Sequence, residues 1–414
     1  MVPKGWTHTT FDKHVDCLTG FAFKSDNYSN AEDDIRLLRG DNIEPGNLRW
    51  RDAKYWPKGE LNNLEKYYLA DGDFVIALDR TWVSSGLKVA EVTPSDLPCL
   101  LVQRVARIRA KATLEQSLLR QYFSGHKFEQ HVKSVQTATA VPHISPNDIK
   151  EFTVSLPPIL EQKKIAQILS TWDKAISTTE QLLANSQQQK KALMHQLLTG
   201  KKRLLDSNGV RFSGEWKKVK VRDLIIQYYE KTDRNNQYPV LTSSRQGMLF
   251  QKDYYNGRDV ASEDTTGYNV VPFGYFTYRH MSDDLNFSFN INELCEKGIV
   301  STLYPVFKAK EEEITPYLLR LILNEGREFK HFSLAQKQGG SRTYMYLSKL
   351  QELKLNIPRL EEQQRIAAVL STAEQEINAL QQKLDALKQE KRALMQQLLT
   401  GKLRVQVPKE EVAC

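Results

Sequence analysis

Cysteine and long apolar runs are scarce in this chain of 414 residues. Its four cysteines (Cys17, Cys99, Cys295 and Cys414) are far apart and form no CxxC pair, which argues against both a zinc site and a disulfide framework. No apolar run approaches the roughly 18 residues of a membrane-spanning helix. The start, MVPKGWTHTTFDKH, lacks the apolar core of a secretory signal. We therefore expect a cytoplasmic protein that does not enter a membrane.

Motifs for catalysis or cofactor binding are also missing. The sequence contains no GxxxxGK[ST] phosphate-binding loop, no NPPY-type tetrapeptide of an adenine methyltransferase and no HExxH zinc motif. Two E-x-K fragments, at 328–330 and 352–354, have no suitably placed upstream aspartate and are treated as chance matches to a nuclease motif. The sequence thus favours a reader or scaffold without metal or cofactor over a self-sufficient nuclease or methylase.

The totals indicate a soluble protein with two or three domains. Apolar residues make up 40% and charged residues 26% of the chain, as is usual for globular proteins. The net charge of +8 points mildly to nucleic acid. Residues 1–156, however, hold as many acidic as basic side chains. If the protein binds DNA, its basic groups must be gathered on one face of each domain.

One block of the sequence occurs twice. Residues 156–201 align without a gap to residues 357–402, and 22 of the 46 positions are identical. Both copies end in LLTGK, and outside them the two halves of the chain agree only faintly. The order is therefore variable domain, repeated segment, variable domain, repeated segment.

Each repeat is predicted to be one long helix. A proline at the entry (Pro157, Pro358) and a glycine after the last leucines (Gly200, Gly401) mark its ends. Steps of four and three residues define a heptad seam in both copies. The seam is Ile165, Leu169, Trp172, Ile176, Thr179, Leu183, Ser186, Lys190, Leu193 and Leu197 in the first copy, and Ile366, Leu370, Ala373, Ile377, Leu380, Leu384, Leu387, Lys391, Leu394 and Leu398 in the second.

The repeat also preserves residues outside the seam, which seam packing does not require. A recent duplication or a docking surface that is used twice would explain these identities, and we favour docking. The candidate docking residues are Glu161, Gln162, Gln196 and Thr199 in the first copy, and Glu362, Gln363, Gln397 and Thr400 in the second.

The variable parts mix strands and helices. Segments 71–78, 99–110, 274–280 and 298–309 are rich in Val, Ile, Tyr and Phe and predict strands, whereas TLEQSLLRQYF and ITPYLLRLILNEG predict helices. The expected divisions are a first variable domain (1–156), a first helix (157–201), a linker (202–216), a second variable domain (217–356), a second helix (357–402) and a tail (403–414) whose end, VPKEEVAC, is expected to be disordered.

This architecture resembles the specificity subunit of type I restriction–modification systems. The resemblance is carried by LPPILEQKKIAQIL and IPRLEEQQRIAAVL, by the two LLTGK endings, and by GFAFKSDNY, IRLLRGDNI, YPVLTSSRQGMLFQKDYY and FSFNINELCEKGIVSTLYPVF in the variable domains. It implies an α+β fold with two target recognition domains, each reading one half of a split DNA sequence. The two helices would pack as an antiparallel coiled coil about a pseudo-twofold axis and hold the domains apart.

The resemblance also implies partners: double-stranded DNA, two methyltransferase subunits and, through the complex, restriction subunits. S-adenosylmethionine, ATP and Mg²⁺ are expected on those partners and not on this chain, which would itself be non-catalytic. Two further alternatives stay open: a specificity subunit that serves a type II-like system with a fused nuclease–methylase, and a coiled-coil adaptor that binds protein.

Candidate DNA contacts are the polar and basic side chains of the variable domains, because Arg, Lys, Asn and Gln read bases and Ser, Thr, Lys and Arg bind phosphates. For each, the alternative is an ordinary solvated surface residue, and for Tyr55 it is packing. The candidates are Lys24, Ser25, Arg36, Arg39, Asn42, Lys54, Tyr55 and Lys58 in the first domain, and Thr242, Ser243, Ser244, Arg245, Gln246, Arg258, Arg279, Lys337 and Arg342 in the second.

Overall fold

The computed structural model describes residues 2–61, 63–258, 260–337 and 342–406. The chain forms two units, Met1–Gln181 with Gln382–Cys414, and Leu182–Gln381. We call them unit 1 and unit 2. Each unit combines one variable domain with part of both long helices, so the boundaries fall inside the helices and not between helix and domain as the linear order suggests.

Unit 1 is built around two small sheets. A four-stranded antiparallel sheet has the order β10-β7-β12-β2, and a three-stranded sheet has the order β11-β3-β6, with β11 parallel to β3. Its strands are β1 (Thr7–Thr10), β2 (Val15–Thr19), β3 (Ile35–Leu38), β4 (Ile43–Glu44), β5 (Asn47–Leu48), β6 (Lys54–Trp56), β7 (Phe74–Ala77), β8 (Trp82–Val83), β9 (Gly86–Leu87), β10 (Val89–Glu91), β11 (Cys99–Leu101), β12 (Val105–Ala110) and β13 (Thr153–Leu156). Its helices are α1 (Gln116–Phe123), α2 (His126–Val135), α3 (Pro146–Lys150) and the first part of α4 (Ile159–Leu198).

Unit 2 repeats this plan with a different set of strands. Its four-stranded sheet has the order β15-β23-β19-β21, and its other strands form two-stranded pairs. The elements are the last part of α4, β14 (Lys217–Lys220), α5 (Val221–Leu224), β15 (Ile225–Tyr228), β16 (Leu241–Ser244), β17 (Gly247–Phe250), α6 (Gln251–Tyr254), β18 (Asn269–Pro272), β19 (Phe276–Thr277), β20 (Met281–Ser282), β21 (Asn290–Ile291), β22 (Lys297–Val300), β23 (Val306–Ala309), α7 (Pro316–Glu325), α8 (Arg327–Ala335), β24 (Thr343–Tyr344), α9 (Leu347–Leu350), β25 (Lys354–Ile357) and the first part of α10 (Leu360–Leu398).

Each core includes the end of one long helix. In unit 1, Met395 and Leu398 of α10 join the apolar cluster around Phe11 and Phe128. In unit 2, residues of α4 join a cluster whose centre is aromatic, with Phe276 and Phe307 stacked across the β19–β23 pair. A globular domain thus buries its own apolar surface against the helix that belongs, in sequence, to the other repeat.

The two helices pair antiparallel within each unit. In unit 1, Asp173 forms an ion pair with Lys391 at 2.6 Å and Glu180 forms one with Lys388 at 2.7 Å. The residue number of the α10 partner thus decreases as the residue number along α4 increases. In unit 2 the same holds for the contacts of α4 with α10, such as Lys190 with Glu374 at 3.6 Å. Every position of the predicted heptad seam is buried or half-buried, which confirms it. Lys391, the interruption of the seam, is thus ion-paired and not exposed.

The helix ends are close to the predicted ones. Gly200 and Gly401 both adopt φ +69, the left-handed conformation that glycine accepts without strain after the last turn. Segment 99–110, predicted as one strand, is two, because a turn at Arg104 (φ 63) separates β11 from β12. In the described ranges no helix is both long and apolar enough to cross a bilayer. The final residues VPKEEVAC lie outside the described residues.

Candidate functional site

The N-terminus of each long helix is joined to its domain by a buried carboxylate. Glu161, 3% exposed, accepts hydrogen bonds from Nε and Nη2 of Arg404 at 2.7 and 2.8 Å, and from the Trp6 indole at 3.1 Å. In unit 2, Glu362 accepts a bidentate pair from Arg203 at 2.5 and 2.7 Å. Each arginine follows the end of the opposite helix, so the pair ties the start of one helix to the end of the other.

The neighbouring glutamines bind backbone. Gln162, 2% exposed, accepts from the Glu115 amide at 2.9 Å and donates to the carbonyls of Thr113 and Pro157. Gln363 makes the same three bonds in unit 2, from the Thr315 amide and to the carbonyls of Glu313 and Pro358. The side chain fixes the loop before α1 or α7 against the helix start. This role requires a glutamine at the same place in both copies.

Four predicted docking residues are therefore corrected. Glu161, Gln162, Glu362 and Gln363 are at most 3% exposed and bind groups of their own unit, so no partner can reach them. Their identity in both repeats reflects how each domain is attached to the helices. Docking through the exposed Gln196 and Gln397, and through the half-buried Thr199 and Thr400, stays a prediction.

A basic groove with a volume of about 760 Å³ crosses the surface of unit 1. Five cationic side chains line it, against three acidic ones, Asp41, Glu44 and Asp52. The cations are Arg39, Arg49, Arg51, Arg80 and Lys88. Partial burial lowers the pKa of Lys88, while Asp41 opposes this shift. An open channel with an excess of positive charge suits a phosphate backbone.

Asn42 organises this groove from below. It is 1% exposed, accepts a hydrogen bond from the Arg39 amide at 3.1 Å and donates to the Arg49 carbonyl at 3.0 Å. The predicted DNA contact at Asn42 is therefore wrong, because the side chain is enclosed and both of its polar atoms are used. Its role is to hold the backbone of two groove arginines.

The other predicted residues of the first domain are spread over several segments. Lys24, Ser25, Lys54 and Lys58 are exposed and Tyr55 is half-buried. The guanidinium of Arg36 donates to the carbonyls of Ser95 and Leu97 and lies 4.7 Å from the Trp50 ring centroid, so it serves the fold in the described structure. Of the eight candidates, only Arg39 and Asn42 line the groove.

In unit 2, aromatic rings stack along the β20–β24 edge. His280 lies 4.9 Å from Tyr346, and Tyr344 is 5.9 Å from Tyr346 at an interplanar angle of 13°. Tyr344 and Tyr346 are 45% and 52% exposed. The predicted contacts Arg279 and Arg342 are exposed and lie close to these rings in sequence. The guanidinium of Arg342 also donates to Asp283 at 3.1 Å. Exposed aromatic rings with adjacent arginines suit nucleic-acid bases and sugars. We call this edge the aromatic ridge.

The remaining candidates of unit 2 centre on the β16–β17 hairpin. Thr242 and Ser243 are 7% and 9% exposed, and the Ser243 hydroxyl donates to the carbonyls of Thr277 and Ser288. Their predicted DNA contacts are wrong, since both side chains are buried. Arg245 and Gln246 are exposed at the hairpin tip, with Ser244 half-buried beside them. Arg258 and Lys337 are exposed elsewhere.

Several residues of these surfaces were not predicted. Arg49, Arg51, Arg80 and Lys88 come together only through the fold, although the first two lie in a segment, RWRDAKYWPKGE, that the sequence already marks as basic. Period-2 spacing marks Tyr344 and Tyr346 as one face of a strand, which is the signal that would have found the ridge. Among the described residues, no group of three or more His, Cys, Asp or Glu could hold a metal ion.

Comparison with known proteins gives a consistent family. The model of the type I restriction modification DNA specificity domain matches residues 18–185 and 213–389. The type I restriction enzyme EcoAI specificity subunit of Escherichia coli is 35% identical over 182 residues, which cover 44% of this chain and 30% of that protein. The MjaVIII specificity subunit of Methanocaldococcus jannaschii is 27% identical over 208 residues, covering 50% and 48%. The chain thus spans less than half the length of these relatives.

Solved structures share the fold. The crystal structure of the S subunit from M. genitalium superposes with a TM-score of 0.58 at 13% identity and covers 96% of both chains. A chain from a structure on complex assembly and conformational transition of the type I R-M system gives a TM-score of 0.52 at 15% identity, covering 97% of this chain and all of that one. Two variable domains and two long helices are therefore a shared architecture.

Proposed function

Because the chain belongs to the family of type I restriction modification DNA specificity domains, we propose that it is the DNA-reading subunit of a restriction–modification complex. It would act in the cytoplasm, read a bipartite site in double-stranded DNA with one variable domain per half-site, and carry no catalytic group of its own. The family match covers both halves of the chain, which supports two readers in one polypeptide.

One observation carries this proposal: both units have the same attachment of domain to helix pair. Glu161 with Arg404 in unit 1 corresponds to Glu362 with Arg203 in unit 2, since each residue is 201 positions from its counterpart. The strands of the two domains differ, whereas the carboxylate–arginine pair and the three glutamine bonds occur in both units; the indole bond of Trp6 to Glu161 occurs in unit 1 alone. An asymmetric DNA site with two parts requires two different recognition domains that are attached to the helices in an equivalent way.

The basic groove would hold DNA in unit 1, and the aromatic ridge would do so in unit 2. Arginines such as Arg51 and Arg279 can reach guanine edges in the major groove, and exposed tyrosines can contact thymine methyl groups. The other cations of both surfaces would bind phosphates and set the register.

The partners would be two methyltransferase subunits, one for each unit, and restriction subunits that join through the complex. S-adenosylmethionine, ATP and Mg²⁺ would be bound by those partners. Because both domains are attached to the helices in an equivalent way, both methyltransferases would be placed alike relative to their half-sites. The exposed Gln196 and Gln397, at equivalent positions of the two helices, are candidate contacts with them.

Co-expression with a methyltransferase subunit of the same system, followed by single-molecule sequencing for methyladenine, tests the proposal. We expect one motif of two short sequences with a fixed gap, methylated on both strands. Exchange of one variable domain for that of a relative should then change one half of the motif alone. Absence of both a co-purifying methyltransferase and a motif would refute the proposal and favour the protein-binding adaptor.

The length of the helices should set the gap between the half-sites. Adding one heptad to both α4 and α10 lengthens each by about 10 Å, or roughly three base pairs of DNA. Methylation mapping of this variant should return the same two half-sequences with a longer gap. An unchanged gap would show that the helices do not measure it.

A further inference from the structure

Unit 2 has an open cleft of about 590 Å³ between its globular domain and its helices. The tip of the β16–β17 hairpin forms one wall, α7 forms another, and α4 supplies Gln187, Lys190, Lys191 and Met194. The hairpin tip carries Arg245 and Gln246, which are exposed. The hairpin tip, which contains candidate DNA contacts, therefore lies across a cleft from α4, a helix that we expected to act only as a spacer.

The cleft carries more positive than negative charge. Its cations are Lys190, Lys191, Arg245 and Arg320, and its carboxylates are Glu325 and Glu374. Arg245 is also ion-paired with Asp284, which lies outside the lining, so the excess of positive charge is small. Glu374 lies 3.6 Å from Lys190 and 3.8 Å from Arg320, so one carboxylate is placed between two cations. Lys191 is exposed on the same helix. A mobile anion can therefore still gain from the field of this cleft.

Neutral hydrogen-bonding groups complete the lining. Asn286 and Gln246 add side-chain amides. The amide of Asn290 and the hydroxyl of Ser244 also line the cleft, but both donate to groups of the β16–β17 hairpin itself. Cations combined with neutral donors are the groups that bind the oxygens of phosphodiesters. A cleft that is open to solvent accepts an extended backbone better than an enclosed cavity would.

We propose that this cleft binds the phosphate backbone of the DNA whose half-site is read by unit 2, with Lys191 of α4 as a direct phosphate contact. The inference rests on the proposed function and extends it, because it makes the long helix part of the DNA interface. The hairpin tip would lie on the other side of the same strand, where Gln246 can approach base edges.

Unit 1 provides an internal comparison. Its cleft beside α4 has a volume of about 460 Å³ and is lined by one residue of α1 and six of α4. Arg120 and Lys174 are balanced there by Asp173 and Glu180. Arg392 is the counterpart of Lys191 in the second repeat, 201 positions later. It is exposed on α10 and does not line this cleft. The repeat therefore supplies a matched control at an equivalent helix position.

The test uses the full complex of this chain with its methyltransferase subunits and a duplex that carries the methylated motif. DNA affinity is measured between 50 and 200 mM salt for the wild type, Lys191→Gln, Lys191→Arg and Arg392→Gln. Loss of one phosphate contact should make the negative slope of log affinity against log salt less steep by about 0.9. At 0.1 M salt the affinity should fall about eightfold. We expect this for Lys191→Gln, with wild-type behaviour for Lys191→Arg and Arg392→Gln.

The outcomes separate the inference from the proposed function. If the wild-type complex binds the motif and Lys191→Gln keeps its slope, or if Arg392→Gln loses as much, the phosphate contact at Lys191 is refuted while the proposed function stands. If the wild-type complex has no salt-dependent affinity for DNA, both fail. Methylation by Lys191→Gln should still occur at the same motif, and an altered base preference would overturn the assignment to backbone.

Discussion

Replacement of Arg404 by alanine should destabilise unit 1 and leave unit 2 unchanged. The substitution removes both guanidinium bonds from Glu161, and only the Trp6 indole then remains as a donor to this carboxylate among its described contacts. Glu161 is 3% exposed and cannot recover the lost bonds from bulk water without opening the junction. The uncompensated charge, more than the lost attraction, makes the substitution costly.

The magnitude follows from exposure. Removing one partner of a fully buried ion pair costs about 3–5 kcal/mol, but the Arg404 side chain is 43% exposed, so we expect about 2–3 kcal/mol in the free energy of unfolding. For a unit of this size, roughly 2–4 °C of melting temperature corresponds to 1 kcal/mol, which gives a decrease of about 4–12 °C. Glu161→Gln in the Arg404→Ala background should restore part of this loss, because it removes the buried charge.

Calorimetry combined with hydrogen exchange measures the effect unit by unit. Arg404→Ala should accelerate exchange in the peptides of α1 and the start of α4, whereas Arg203→Ala should do so in α7 and the start of α10. Arg203 is the matched control because it binds Glu362 in the same bidentate way. Equal acceleration in both units by either variant, or no rescue by Glu161→Gln, would refute the reasoning from a local buried charge.

Three further predictions concern the seam, the groove and the thiols. Asp173→Ala should cost about 1–3 kcal/mol, because it leaves Lys391, 13% exposed, without its carboxylate and the buried Gln121 amide without an acceptor. Adding Lys391→Met should recover the part that comes from the buried charge in thermal unfolding; a double variant as unstable as the single one would contradict this. If the basic groove holds DNA as proposed, replacing Arg49 and Arg51 with Gln should reduce the slope of log affinity against log salt by up to about two, and a wild-type slope would refute this role of the groove. Burial raises the pKa of the Cys99 thiol to about 12, so iodoacetamide at pH 8 should label it far more slowly in the native protein than in urea, as mass spectrometry can show, and equal rates would argue against its burial.

The long helices were the most predictable part of the fold, because local rules determine them. Heptad spacing defines the buried face, and the left-handed glycines Gly200 and Gly401 end each helix, so both signals can be read within one segment. The division into units was not predictable in this way. It depends on contacts such as that of Arg404 with Glu161, which join residues 243 positions apart and produce no periodic pattern in the sequence.

Side-chain burial explains the errors in the predicted site. Asn42 and Ser243 have the chemistry of DNA-binding residues, but their amide and hydroxyl groups are used inside the protein, and residue type alone cannot show which use applies. The same holds for Gln162 and Gln363, whose identity suggested a docking surface. The groove residues could not be assembled from the sequence, because Arg39, Arg80 and their neighbours follow separate strands.

The attachment of each domain also explains why the variable parts can differ so freely. Glu161 and Gln162 bind a distant arginine, a tryptophan and the backbone before α1, and none of these groups belongs to the strands that form the groove. Because backbone amides and carbonyls are present in any sequence, Gln162 can bind this loop whatever residues it carries. Substitutions in the groove should therefore leave the attachment of the domain to the helices intact. A new recognition surface can arise on one unit without changing how that unit is held, as the proposed reading of two different half-sites would require.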